Sequence, residues 1–208
     1  MTSRIYKCIE LFTIFILVPV SFAFKYSVFI KLAIGLLGFT YVVYVLLKVE
    51  KAAFKITKNL NWKYFWTQTL LKLAVIAILT TVFLWVTNKE DLFIVLRSKP
   101  KLWLFILFIY SFFSVYPQEL IYRTFFFKRY HNLWHSKAFL VFINATFFAL
   151  AHIFFKNTLV LILTFLGGIL FAFTYLKTKS TLLVSIEHAV YGCWLFTVGM
   201  GDMLGFPN

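Results

Sequence analysis

The chain has 208 residues, 62% of them hydrophobic and 22% aromatic, and its formal net charge is +14 at pH 7. The apolar share and the mean hydropathy of +0.88 exceed the roughly half-apolar composition of soluble domains, so the composition excludes a soluble enzyme. Because the Lys and Arg residues mostly lie between apolar runs, they indicate topology signals and contacts with the anionic head groups of a lipid bilayer rather than nucleic-acid binding.

The overall pattern predicts an all-α, polytopic membrane helix bundle of about seven (seven to eight) transmembrane helices. The chain shows no internal repeat and no linker of the kind that separates domains, so we expect a single transmembrane domain over residues 1–208. Polar and ionisable residues within apolar runs concentrate in a core at about residues 102–200. Oligomeric state leaves no signal in this pattern.

Two apolar runs, at residues 9–24 and 28–47, begin the series, and each is near the ~20 residues that cross a bilayer. The first run resembles a signal peptide, but no small-residue cleavage site follows, so it predicts a retained span. The basic stretch at 48–63 has apolar residues interleaved with its lysines. It predicts an interfacial amphipathic helix or a cytosolic loop.

Five further apolar runs predict spans at about residues 64–87, 102–127, 138–155, 158–176 and 181–200. Lys72 lies inside the third span, where it could line a water-filled cavity, snorkel to the interface or bond a neighbouring helix. Pro117 predicts a kink in the long fourth span, because proline cannot donate the helical hydrogen bond. Gly167 and Gly168 in the sixth span predict close helix packing.

The distribution of Lys and Arg predicts the orientation in the membrane. With the N-terminus inside, twelve basic residues lie on the cytosolic side, namely Arg4, Lys7, Lys48, Lys51, Lys55, Lys58, Lys63, Lys128, Arg129, Lys137, Lys177 and Lys179. Seven lie on the other side, namely Lys25, Lys31, Lys89, Arg97, Lys99, Lys101 and Lys156. We therefore expect a cytoplasmic N-terminus, and the lack of an organellar presequence favours a bacterial inner (plasma) membrane.

Glu119 and Arg123 place a carboxylate and a guanidinium four residues apart in an otherwise apolar run. On a helix the two side chains share one face, so they can partly neutralise each other. In a soluble protein such a pair would be read as helix stabilisation. Within a membrane span an ionisable residue is a candidate for function.

Two histidines lie at comparable depth on other spans. Glu119 precedes Lys128 by nine residues and His188 follows Lys179 by nine, which puts each about 14 Å from the cytosolic boundary. His152 follows Lys137 by fifteen residues, or about 22 Å. Either histidine alone is better explained as a hydrogen bond to a neighbouring helix. Together with Glu119, the three residues predict a shared site.

Several neighbours would support this site. Phe148 and Asn144 share the face of His152 at i−4 and i−8, so Asn144 would either line the site or bond a neighbouring helix. Glu187 points away from His188, and we expect it to orient an arginine, with Arg123 as the favoured partner.

A carboxylate and two imidazoles can hydrolyse a peptide bond, because the carboxylate can deprotonate water and the imidazoles can stabilise the oxyanion. The same three side chains, Glu119, His152 and His188, are also a ligand set that suits zinc. The spacing is not HExxH, and both a metal-dependent and a metal-free site remain as alternatives at this point.

The sequence resembles the CAAX-protease and bacteriocin-processing family of intramembrane proteases, often labelled CPBP or Abi. That family carries EExxxR, FxxxH and HxxxN motifs on successive spans, and the counterparts here are QELIYR at 118–123, FALAH at 148–152 and HAVYG at 188–192. The resemblance covers about residues 116–192. It implies an endopeptidase that acts on a membrane-associated peptide or protein, through either a metal or a glutamate.

Two positions depart from the family pattern. Gln118 replaces the first glutamate, usually taken as the residue that activates water, and Gly192 replaces the asparagine. The resemblance then implies that Glu119 takes the role of base with His152 and His188, or that Glu187 replaces the missing glutamate. The alternative is a catalytically inactive family member that acts as a membrane scaffold or binds a partner. A transporter is disfavoured because no repeat is visible.

Overall fold

A computed structural model describes residues 3–52 and 61–205, and within these residues the chain is all-α, without a β-strand. Seven of the described helices are long and apolar enough to cross a membrane. In chain order they are α1 (Arg4–Phe22), α2 (Val28–Val49), α3 (Trp62–Thr87), α4 (Pro100–Leu133), α5 (Lys137–Phe155), α6 (Thr158–Thr178) and α7 (Thr181–Val198). These helices confirm the predicted fold class of an integral membrane protein embedded in a lipid bilayer.

The largest difference from the sequence prediction is at α4, which begins at Pro100 and ends at Leu133 rather than covering only 102–127. Half of the predicted amphipathic segment at 48–63, residues 53–60, lies outside the described residues. Four of the long helices start at a side-chain N-cap, in which an oxygen accepts a backbone N–H of the first turn. The capping residues are Ser3, Asn61, Ser136 and Asn157.

Helix α4 departs from regular α-helical geometry on both sides of Pro117. A π-helical segment at Tyr110–Val115 precedes the α-helical turn Tyr116–Glu119, and a second π-helical segment follows at Leu120–Phe125. The irregularity lies where proline was predicted to perturb the helix, since its missing N–H removes an i→i−4 bond. π-Helical insertions occur frequently at functional sites.

The chain divides into two compact units. Unit 1 comprises residues 1–55 and 117–181, and unit 2 comprises residues 56–116 and 182–208. Most of the residues singled out from the sequence lie in unit 1, namely Gln118, Glu119, Arg123, Asn144, Phe148 and His152. Glu187 and His188 lie in unit 2.

The core of unit 1 is aromatic and centres on Phe15 of α1, whose side chain is wholly buried. Its ring centroid lies 5.3 Å from that of Tyr122 and 5.6 Å from that of Phe147, in edge-to-face and stacked arrangements respectively. It also contacts Phe126 edge-on at 5.4 Å. Such pairs add about 0.5–1.5 kcal/mol each beyond the area that they bury. Helix α1 is therefore packed directly against the motif-bearing parts of α4 and α5.

A buried ionic network joins α1 to the end of α4. Arg129 donates from Nε to Glu10 at 2.7 Å and from Nη1 to Glu50 at 2.8 Å. Glu10 also accepts hydrogen bonds from the hydroxyls of Tyr130, at 3.0 Å, and Tyr41. A buried guanidinium is tolerated only when its charge and donors are matched. This network fixes the segment that follows Glu119 and Arg123.

Close approach of α5 and α6 depends on a glycine. A β-carbon at Gly168 would lie 2.9 Å from Cα of Ala145, which is too close without movement of the backbone. The predicted packing role is therefore confirmed for Gly168. At Gly167, a β-carbon would meet the Phe171 side chain of the same helix at 3.2 Å.

Unit 2 has its own apolar cluster, formed by the buried side chains of Val95, Ile106 and Phe196. Beyond the end of α7, Gly199 has a φ of +114°, which L-amino acids rarely adopt. A β-carbon there would lie 2.1 Å from the carbonyl oxygen of Asp91. The chain can pass this point only with glycine.

Candidate active site

Glu119 and Arg123 form the expected ion pair on α4. Arg123 Nε lies 3.3 Å from Glu119 Oε2, and both side chains have no exposed surface. The two residues are separated by one helical turn, so the pair follows from their spacing. A carboxylate is thus held in an apolar span with its charge opposed by a fixed cation.

Arg123 is held by groups from two neighbouring helices of unit 1. Its Nη1 donates to Asn144 Oδ1 at 2.8 Å, and Asn144 in turn donates from Nδ2 to the carbonyl oxygen of Tyr122 at 2.5 Å. The guanidinium carbon lies 4.7 Å from the ring centroid of Phe148 and 5.7 Å from that of Phe171. A guanidinium stacks well on aromatic faces, so these rings fix its plane.

Asn144 and Phe148 therefore both support the charged pair. His152 lies against Phe148, because its Nδ1 donates to the carbonyl oxygen of Phe148 at 2.8 Å. That Asn144 shares a face with His152 stays a prediction. With Nδ1 as a donor, the neutral imidazole carries its lone pair at Nε2. The ring centroids of His152 and Phe148 are 4.9 Å apart.

The position of His152 differs from the expectation of a residue within a helix. The α-helical part of α5 ends at Leu150, and His152 follows the C-cap with φ −102° and ψ 6°. This bridge-region conformation is sparsely populated and recurs at active sites. His152 is half-buried, whereas Glu119 is fully buried.

Glu187 lies in a polar cluster of unit 2. Lys72 Nζ is 2.7 Å from Glu187 Oε1, and the Tyr191 hydroxyl donates to the same oxygen at 2.9 Å. The structure thus records an ion pair of Glu187 with Lys72, where the sequence favoured Arg123. Of the three roles considered for Lys72, the bond to a neighbouring helix is the one observed. Glu187 is 1% exposed, so the lysine opposes a buried carboxylate.

His188 is buried beside Tyr110 of α4, within the same unit. The two ring centroids are 6.0 Å apart at an interplanar angle of 82°. The Tyr110 ring also packs edge-on against Phe196 at 4.8 Å. Tyr110 was not identified from the sequence, because nothing in its spacing connects it to α7.

Contacts within unit 1 thus bring together Glu119, Arg123, Asn144, Phe148 and His152, and Gln118 precedes this group as a half-buried residue. That His188 completes the same site stays a prediction. Within residues 3–52 and 61–205, no group of three or more His, Cys, Asp or Glu side chains could hold a metal ion. The zinc alternative therefore has no preformed ligand set among these residues.

One comparison with known proteins identifies a relationship. Residues 100–194 match the family model described as type II CAAX prenyl endopeptidase Rce1-like. The match includes Glu119, Arg123, His152 and His188 and spans the region from α4 into α7. No curated protein and no solved structure matches the chain.

Proposed function

We propose that the chain is an intramembrane endopeptidase of the CAAX-protease family, because residues 100–194 match the Rce1-like family model. It would hydrolyse a peptide bond of a membrane-associated protein or peptide that enters from the cytosolic side. The prenyl endopeptidase description of the family model makes a prenylated C-terminal peptide the first substrate to test.

The observation that carries this proposal is the wholly buried Glu119 carboxylate, held by Arg123 in an apolar span. A membrane protein that required only helix stability would gain little from such a pair, because desolvation of two charges offsets their attraction. Asn144 and the aromatic rings fix Arg123, so the carboxylate is preorganised. Preorganised charge is what general base catalysis and oxyanion stabilisation require.

In the proposed reaction, Glu119 accepts a proton from a water molecule, and the water oxygen bonds to the carbonyl carbon of the substrate. The carbonyl π electrons move to its oxygen, which becomes an oxyanion. His152 donates to this oxyanion from Nε2 in its protonated form, because Nδ1 already donates to Phe148. The electrons of the oxyanion then re-form the C=O bond as the C–N bond breaks, and the leaving nitrogen takes the proton from Glu119, which gives a carboxylic acid and an amine.

Two observations support a role for His188, namely the membrane depth that its position in the sequence predicts and its place in the HAVYG motif at 188–192. Its proposed role is a second oxyanion donor, and Arg123 holds Glu119 in place. Gln118 cannot act as a base, so it is given only a supporting, hydrogen-bonding role. Glu187 balances Lys72 in unit 2 and supports the helix that carries His188.

A second candidate is a non-catalytic family member that binds a membrane partner. The observation that favours it is the pair of replaced motif residues, Gln118 and Gly192. This candidate predicts that the unaltered chain hydrolyses no peptide and that substitution of Glu119 changes only the binding of the partner.

The deciding experiment uses the full chain purified in detergent, with prenylated and leader-containing peptides as substrates. Glu119→Gln and His152→Gln are compared with Glu90→Gln, which alters an exposed carboxylate outside the seven spans. We expect the first two variants to lower kcat by about 10²–10⁴-fold and Glu90→Gln to have no effect. Equal cleavage by all three variants would remove the enzyme proposal. Metal analysis of the same preparation tests the zinc alternative.

We also propose that the N-terminus faces the cytoplasm, which is supported by the twelve-to-seven excess of basic residues. A membrane-impermeant maleimide applied to intact cells should label a Lys89→Cys variant and spare a Lys177→Cys variant, each made in a background without the two native cysteines. The reverse labelling would invert the topology.

A further inference from the structure

Position 192 on α7 is covered by the side chain of Tyr110. A β-carbon at Gly192 would lie 2.0 Å from the Tyr110 hydroxyl oxygen, 2.3 Å from its Cε1 and 2.4 Å from its Cζ. Real side chains do not approach this closely, so no residue other than glycine fits while Tyr110 keeps this position. The volume that a side chain at 192 would take is filled by the phenol of Tyr110.

The covered position lies on the same face of α7 as His188. Residues 188 and 192 are four apart on one α-helix, so they are neighbours one turn from each other. The Tyr110 ring contacts both, because it covers Gly192 and packs edge-to-face with the His188 imidazole. Phe196, one turn further along α7, packs against the same ring and is 2% exposed. Three successive turns of α7 thus hold the phenol in a defined orientation.

A phenol at this place differs from simple packing because it carries a hydroxyl. Tyr110 is half-buried within the apolar helix α4, and a tyrosine O–H in an apolar environment is stabilised by a hydrogen-bond partner. Phenylalanine would fill nearly the same space without that requirement. Tyr110 therefore places a hydroxyl beside His188, next to position 192, where glycine has no side chain.

We propose that Tyr110 is a positioning residue for His188, whose hydroxyl supplies from α4 the hydrogen-bonding group that position 192 lacks. The hydroxyl fixes the orientation of the imidazole, and glycine at 192 leaves the space that the Tyr110 phenol occupies. This inference rests on the proposed function of His188 as an oxyanion donor. By this inference, the polar group that the asparagine of the HxxxN motif would supply on α7 comes instead from Tyr110 on α4.

The first test is Tyr110→Phe, which removes the hydroxyl and keeps the ring. We expect kcat to fall about 10- to 100-fold with KM changed less than about twofold, because a misplaced catalytic group mainly affects the transition state. The melting temperature of Tyr110→Phe should equal that of Tyr44→Phe, which makes the same change at an exposed tyrosine on α2. Wild-type kcat in Tyr110→Phe would overturn the proposal, since packing alone would then explain the tyrosine.

The second test exchanges the two positions. Gly192→Asn alone should lose activity, because its side chain collides with Tyr110. Tyr110→Ala alone should lose activity, because the polar group is removed. The double variant Tyr110→Ala/Gly192→Asn returns a polar side chain to the face of His188, and its kcat should exceed that of either single variant. A double variant with a kcat no higher than that of the more active single variant would contradict the relocation.

A measurement that does not depend on cleavage separates this proposal from the proposed function. In ¹⁵N-histidine NMR spectra of the full chain, Tyr110→Phe should shift the ring-nitrogen signals of His188, assigned by their loss in His188→Gln, while those of His152 stay in place. A chain that cleaves no peptide but shows this shift would refute the protease function and keep the positioning role. Unchanged His188 signals would refute the positioning role itself.

Discussion

Arg123 Nε and Glu119 Oε2 lie 3.3 Å apart on consecutive turns of α4, and both side chains are inaccessible to solvent. The same guanidinium also donates to Asn144 on α5 and stacks on Phe148. One cation thus ties the proposed base to the helix that carries His152. Its removal should therefore affect stability as well as activity.

We expect Arg123→Met to destabilise the protein by about 3–5 kcal/mol, because it leaves a buried carboxylate without its opposing charge. Arg123→Lys should recover only part of this loss, since an ammonium cannot reproduce the planar fork that reaches both Glu119 and Asn144. Thermal denaturation in detergent measures the effect. Arg4→Met, at an exposed arginine, serves as the control, and an Arg123→Met protein as stable as this control would contradict the prediction.

The pair of Lys72 and Glu187 predicts a non-additive result. Lys72→Met should destabilise the protein by up to about 3–5 kcal/mol, since Glu187 then keeps a buried negative charge without the lysine that opposes it. The double variant Lys72→Met/Glu187→Gln should regain much of that stability, because neither charge remains. Lys101→Met, at an exposed lysine, controls for loss of positive charge. Strict additivity in the double-mutant cycle would show that the two residues do not interact.

Glycines on two helices provide a matched comparison of packing. Gly168→Ala should cost about 1–3 kcal/mol, because its β-carbon would lie 2.9 Å from Cα of Ala145. Gly38→Ala meets nothing within 4 Å and should be neutral or stabilising by about 0.5–1 kcal/mol, since alanine is the better helix former. Urea or thermal unfolding of both variants measures the contrast. Equal stability of the two would show that α6 can move away from α5 at little cost.

Glu10→Ala should destabilise unit 1 and lower the rate of cleavage. Glu10 accepts from the buried Arg129 and Tyr130 and from the half-buried Tyr41, so its loss removes an acceptor shared by three residues. Glu50 still pairs with Arg129, and we therefore expect a cost of about 2–4 kcal/mol rather than unfolding. Glu90→Ala is the matched control in a thermal shift assay. A melting temperature equal to that of the control would mean that the network does not contribute to stability.

Contacts within one helix were the ones that the sequence predicted well. Glu119 and Arg123 pair at i and i+4, because the helical period fixes which side chains share a face. The seven spans were also predicted, since a run of apolar residues of bilayer length has few other structures available. The observed ends of the spans differ from the predicted ends by a few residues, and the largest difference is at α4.

Contacts between helices distant in the chain were the ones that spacing could not reveal. Lys72 meets Glu187, and Tyr110 covers Gly192, across helix packings that depend on the rotation and depth of each helix. Hydropathy describes neither quantity. The turn at His152 was missed for a related reason, because no glycine or proline marks the end of the α-helix at Leu150.

Helix α1 lies outside the region that matches the family model, yet it supplies Phe15 to the aromatic core and Glu10 to the ionic network of unit 1. Lys7 of the same helix donates to the carbonyl oxygen of Arg129 at 2.9 Å. A fragment trimmed to the matching region would remove both carboxylates that pair with Arg129, Glu10 and Glu50, and would leave the aromatic core without Phe15. Chimeras between relatives must therefore inherit their leading helix from the same parent as the motif segments, or carry an acid and a large aromatic at the equivalent places.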